Sequence, residues 1–220
     1  MALYIGNQKI KTIYKGSTLI SRLYKGSTLV YKKGEWHNYT QLFTANGSIT
    51  FPAVVRNIVV TVVGAGGCGS VFSVIAAGKP IMYFYYGGSG GGAGGYSQKN
   101  YGSSLGGQTV NFVVGQAQAS AGYSGGNSSF LNQVAYGGTG GQAYTSPGSG
   151  GSAINGDTNY SGQNGTNGGL NSYGSGGQGW YIAGAYFGTG GSPNAMNNLP
   201  ATVSNGIRPG CVYITFDYFA

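Results

Sequence analysis

The chain has 220 residues, of which 46 are glycine and 19 tyrosine, with 11 basic and three acidic side chains and a formal charge of +8. Glycine at that level without a three-residue Gly period or abundant proline excludes collagen, and 14% aromatic with 6% charged residues is the reverse of an ordinary disordered chain. Three acids and one histidine leave little for acid–base chemistry, so no enzyme and no cofactor are expected.

Residues 1–33 hold seven of the 11 basic residues and no acid. They repeat with a period of ten: YIGNQKI, YKGSTLI and YKGSTLV begin at Tyr4, Tyr14 and Tyr24. Each unit sets short apolar strands around a polar turn with glycine where positive φ is needed, a β-hairpin pattern. Isolated hairpins are marginal in water, so the module is expected to dock on another subunit or on the rest of the chain, with Tyr14, Lys15, Arg22, Tyr24, Lys25 and Tyr31 as the expected docking residues. Lysine near tyrosine also suits nucleic acid, but lysine is an ordinary guard of exposed strand edges, and no nucleic-acid partner is expected.

The body, 34–220, reads as all-β. Asn46-Gly47 signals a turn, Ser48 to Phe51 a short strand, and the β-branched run Ile58 to Val63 a buried strand. That run is far shorter than the ~20 residues of a membrane helix, and MALYIGNQKIK has no secretory-signal pattern. No membrane insertion is expected. Near the far end, CVYITF (211–216) alternates so that Val, Ile and Phe share one face, and it is expected to pair with Ile58–Val63.

Between these strands, 39 of the 46 glycines fall from Gly64 to Ser192. Apolar strands are expected at Pro80–Tyr86, Thr109–Val114 and Ser128–Tyr136, with Met82, Phe84 and Val113 in the core. Ordering glycine costs more backbone entropy than any other residue, so an ordered Gly tract must recover it through close backbone approach. Extended helices with three residues per turn, packed through faces without side chains, would do this. A partly ordered tract is expected, a β-sandwich with long glycine-rich loops.

The ordered series ITFPAVVRNIVVTVVGAGGCG, GGGAGGYSQ, TVNFVVGQA, GNSSFLNQVAYGGTGG and RPGCVYITF, spanning about 40–219, resembles the glycine-rich domain of bacteriophage tail-fibre and adhesin proteins. The resemblance implies a virion component, made in the host bacterial cytoplasm, that turns Gly-rich loops toward a host-surface glycan or outer-surface protein, commonly as a homotrimer. The chain lacks a long trimeric shaft, so residues 1–33 would attach it directly to other virion proteins. A capsid decoration or head-fibre protein is the alternative, and a non-viral Gly-rich surface or ice-binding protein a third reading.

Other motifs carry less. Gly64-Ala65-Gly66-Gly67-Cys68-Gly69 fits G-x-G-x-x-G, but no amphipathic helix or downstream acid completes a dinucleotide site. His37 beside Glu35 has no nucleophile partner, Asp157 and Asp217 are isolated, and Cys68 and Cys211 are too few for a metal site. Aromatic residues in the Gly tract are the better candidates: Tyr144, Tyr160, Tyr173, Trp180, Tyr181, Tyr186 and Phe187 offer stiff, amphipathic contact area beside Ser, Gly and Asn. They are the expected receptor-binding residues, whether exposed or folded onto glycine backbone as local core.

Overall fold

The computed structural model describes residues 34–71, 73–193 and 206–220, and the strand backbones between residues 4 and 32. No helix occurs among the described residues. Three antiparallel ladders join β1 (Tyr4–Ile5) to β2 (Gln8–Lys9), β3 (Tyr14–Lys15) to β4 (Thr18–Leu19) and β5 (Arg22–Lys25) to β6 (Thr28–Lys32). Tyr4 lies opposite Lys9, Tyr14 opposite Leu19 and Tyr24 opposite Leu29, so pairing follows the ten-residue period. The turn centres Gly6-Asn7, Gly16-Ser17 and Gly26-Ser27, and the side chains of Tyr14, Lys15, Arg22, Tyr24, Lys25 and Tyr31, lie outside the described residues.

The body strands are β7 (Trp36–Phe43), β8 (Gly47–Thr50), β9 (Val55–Val63), β10 (Ser73–Ala77), β11 (Met82–Tyr86), β12 (Tyr96–Gly102), β13 (Thr109–Val113), β14 (Ser128–Phe130), β15 (Gln133–Ala135), β16 (Ala153–Ile154), β17 (Thr158–Tyr160), β18 (Trp180–Ile182), β19 (Ala185–Phe187) and β20 (Cys211–Phe219). Two five-stranded antiparallel sheets form, ordered β17-β12-β9-β20-β7 and β16-β15-β14-β13-β8. The expected pairing of the early and late body strands is present, with Cys211 opposite Val63 and Ile214 opposite Val60. Alternation decides which side chains meet: Ile58, Val60 and Val62 of β9 and Val212, Ile214 and Phe216 of β20 face Ile49, Val110, Phe112, Phe130 and Ala135 of the second sheet. Gln133 is fully buried and donates to the Val60 carbonyl at 3.2 Å, a polar tie between the sheets.

Two expectations about strands are corrected. Ser128–Tyr136 is not one strand but the hairpin β14–β15, turned at Leu131, whose φ is 53°. Val113 is exposed, because the β13 alternation that buries Val110 and Phe112 sends it to solvent.

The Gly tract is ordered by its backbone. Segment 87–95 donates with a strict period of three: Gly90 and Ala93 to Thr166 and Gln163, Gly91 and Gly94 to Gly191 and Gly188, Gly92 and Gly95 to Thr139 and Tyr136. Its carbonyls accept with the same period, at Gly90 and Ala93 from Gly148 and Gly151, at Gly88 and Gly91 from Gly174 and Gly177, and at Ser89, Gly92 and Gly95 from Ser70, Gly67 and Gly64. Three residues per turn, without internal hydrogen bonds, is the polyproline II pattern. Six neighbours therefore surround one buried segment: 64–70, 136–141, 147–152, 161–168, 174–179 and 188–193.

Glycine is required here for proximity rather than for φ. None of the glycines in 64–70 or 87–95 has positive φ, yet an added Cβ on Gly91 would sit 2.5 Å from the Gly67 carbonyl carbon and 2.7 Å from the Cys68 oxygen. At the rim, where a neighbouring segment is missing, side chains complete the bonding. Asn164 accepts from Gly150 N, Asn127 from Gly137 N, Thr139 from Ser149 N and Thr166 from Ser175 N, at 2.7–2.9 Å.

Candidate functional site

The lattice has two ends with different contents. Segment 64–70 leaves β9, and segment 87–95 runs into β12, so residues 64 and 95 mark the sandwich end and residues 70 and 87 the far end. Among the described residues, antiparallel and parallel registers then bring four connections, 71–86, 118–122, 142–146 and 169–173, out at that same far end.

Its largest feature is the hairpin β10–β11, with Val74 opposite Tyr85 and Ala76 opposite Tyr83. Only its base is supported: Asn171 N donates to the Tyr85 carbonyl, Tyr86 bridges to Leu170, and the Tyr86 ring stacks on Tyr144 at 4.5 Å. Beyond the base no second layer covers it among the described residues, and its apolar side chains face water. Ile81 is 66% exposed, Tyr83 63% and Met82 56%, with Val74, Ile75 and Tyr85 also exposed. The expectation that Met82 and Phe84 are core is therefore corrected: Met82 is exposed and Phe84 half-buried, because a two-stranded ribbon has no opposing sheet to bury it. At the same end, level with residues 68 and 69, Gln118, Ala121, Gly122, Tyr123, Ser124 and Gln142 line a shallow groove of about 630 Å³, and Tyr123 is exposed. Lys79 is the one charged residue in these four connections.

The seven aromatic candidates do not form one surface. Tyr144 and Tyr173 lie in the far-end connections, Tyr144 half-buried under Tyr86 and Tyr173 exposed. The rest sit toward the sandwich end. Trp180 stacks between Tyr96 at 5.0 Å and Tyr160 at 5.8 Å, and its indole N–H donates to the Gly94 carbonyl at 2.8 Å. Phe187 is buried against Val63 and Cys211 and presents no surface. Tyr181 and Tyr186 are exposed on the β18–β19 hairpin, edge to face at 5.1 Å. Sequence reasoning missed the 71–86 hairpin as a surface, although Gly78-Lys79-Pro80 between two apolar runs was its turn signal.

The G-x-G-x-x-G run is lattice interior: 64–70 is buried, and its amides are spent on neighbouring segments. Cys68 and Cys211 are both buried and not joined as a disulfide. Burial pushes the Cys211 thiol up to about 12, so it stays protonated. Asp217 accepts from Asn38, Asn57 and Arg56, which hold its carboxyl below the usual carboxylate range, and Arg56 lies over the Trp36 ring at 3.8 Å. That cluster joins β7, through Asn38, and the start of β9, through Arg56 and Asn57, to β20. His37 meets Tyr218 ring to ring at 5.4 Å. No group of three metal-ligating side chains occurs among the described residues.

This architecture, strands framing a glycine lattice from 64 to 193, coincides with a family match: the glycine-rich domain matches residues 43–210. The chain belongs to the glycine-rich domain family. The match spans β8 through the last lattice segment and leaves outside it residues 1–42, with all of β7 but Phe43, and residues 211–220, with β20. Comparison with curated proteins finds no match.

Proposed function

We propose that this glycine-rich domain protein is a bacteriophage virion adhesin, docked to other virion proteins through residues 1–33, with the far end of the lattice meeting the host surface. One observation carries the reading. A backbone-bonded lattice fixes four connections at a single end, and that end exposes Ile75, Ile81, Met82, Tyr83 and Tyr123 together. Soluble proteins seldom leave such apolar groups uncovered unless something binds there. Near-absence of charge suits an uncharged partner loop or glycan, and an interlocked scaffold holds its loops without an ordering cost on contact. Trp180 and Phe187 serve the scaffold in this reading, and the contact residues move to the 71–86 hairpin with Tyr123 and Tyr173.

The test replaces Ile81, Met82 and Tyr83 by serine on the particle and measures adsorption to host cells. Central aromatic and aliphatic anchors dominate interfaces, so adsorption is expected to fall at least ~10-fold with normal particle yield. Unchanged adsorption, or localisation of the protein on the capsid by imaging, would overturn the assignment.

A further inference from the structure

A second recess lies on the side of the lattice, away from the far end. Gln178, Gly179, Tyr186, Thr189, Gly206 and Arg208 line it, with a volume of about 320 Å³, at the low end of the ~300–1,000 Å³ range of small-ligand sites. Gly179 forms part of its wall because a Cβ there would press on the Thr189 hydroxyl and Phe187 carbonyl. Glycine thus lets the chain at 179 pack directly onto 187–189, which form the floor of the recess with it.

Arg208 decides what the recess recognises. Its backbone is fixed, N donating to Thr189 O at 3.0 Å, and its side chain is exposed. The chain has only three acids, Glu35, Asp157 and Asp217. Among the described residues the one ion pair is Arg56–Asp217, and Asp157 accepts from Asn100 N, so Arg208 has no protein carboxylate. A guanidinium without an internal partner, in a shallow recess, is a fork for an external carboxylate. Tyr186 supplies an exposed ring face, held by Tyr181. The Gln178 amide and Thr189 hydroxyl stand beside it as neutral hydrogen-bonding groups. An apolar ring face, neutral donors and acceptors, and one cation carried on an anchored backbone together match a pyranose ring bearing a carboxylate.

We propose that this recess binds an acidic sugar, a uronic-acid-type unit of a surface polysaccharide, with Arg208 on the carboxylate and Tyr186 on the ring. The proposal is independent of the far-end assignment, since it is read on purified protein and not on adsorption.

The experiment titrates the full-length protein with D-glucuronate, and separately with D-glucose and inorganic phosphate, following backbone amide NMR signals. Glucuronate is expected to shift Gly179, Thr189 and Gly206 and to bind at least ~10-fold more tightly than glucose, the worth of one charge-assisted hydrogen bond. Arg208→Gln abolishes that preference while the spectrum stays dispersed; Tyr186→Ala weakens glucuronate several-fold and leaves phosphate unchanged. Equal shifts with glucose and glucuronate, glucuronate binding retained in R208Q, or phosphate matching glucuronate with no effect of Y186A would each overturn the proposal.

Discussion

Replacing Gly91 by alanine places one methyl group inside the lattice and perturbs little else. The new carbon would start 2.5 Å from the Gly67 carbonyl carbon and 2.7 Å from the Cys68 oxygen, while real Cβ contacts stay above 3.0 Å. Both obstacles are backbone, so no rotamer relieves them, and segments 64–70 and 87–95 must separate. The bonds between them, Gly64 to Gly95, Gly67 to Gly92 and Ser70 to Ser89, are 2.9–3.0 Å long and would pass the ~3.2 Å limit of a good N–H···O bond. Each buried group left unpaired costs ~1–3 kcal/mol. With two such bonds lost, a destabilisation of at least ~3 kcal/mol is expected, a large share of the ~5–15 kcal/mol of a typical domain. The control is Gly184→Ala in the β18–β19 turn, where nothing lies within 4 Å and φ is +90°, so only the left-handed backbone penalty of ~1–2 kcal/mol applies. Urea unfolding of both variants supplies the comparison. If G91A unfolds within ~0.5 kcal/mol of the parent, the range of an ordinary surface change, the interlocked-backbone argument is wrong.

Two further outcomes follow from the sandwich. Gln133→Leu removes the buried amide that ties the sheets, which donates to the Val60 carbonyl at 3.2 Å and accepts from the Tyr101 hydroxyl at 3.4 Å, and is expected to cost ~1 kcal/mol, read as a lowered urea midpoint at unchanged slope. Cys211 makes stability fall in alkali: its thiol, 9.0 in an unfolded reference and about 12 when buried, stabilises the fold fully below pH 9 and progressively less as pH rises toward 12. Between pH 9 and pH 10 this one group removes about 1 kcal/mol of unfolding free energy, and Cys211→Ala is expected to flatten the profile by that amount. A profile identical in the parent and C211A would refute the assignment.

The framing strands were legible in the sequence because burial on one face writes an alternating pattern, as in Cys211–Phe216 and Ile58–Val63. β12, YSQKNYG, was not legible: it joins β9 to β17 mostly through backbone bonds and buries few apolar groups. Met82 and Phe84 misled for the opposite reason. Their composition is that of a core strand, and only tertiary placement decides that the hairpin carrying them stands outside any second layer. The lattice was legible as a principle but not as a register. Gly91 and Gly184 are the same letter, one glycine for contact and the other for φ, and nothing local distinguishes them. Of the aromatic candidates, residue type left Trp180 and Phe187 open between surface and local core, because the partners that decide it, Tyr96, Tyr160 and Val63, come from remote strands that the sequence does not join.

Amide hydrogen exchange across 87–95 probes the glycine lattice most directly. With every third N–H committed to the same neighbour, Gly90 through Gly95 should exchange as slowly as Val60 and Ile214 in the sandwich core, only when the whole body opens. Exchange of those glycine amides at the rate of an unstructured chain, beside a protected sandwich, would contradict it.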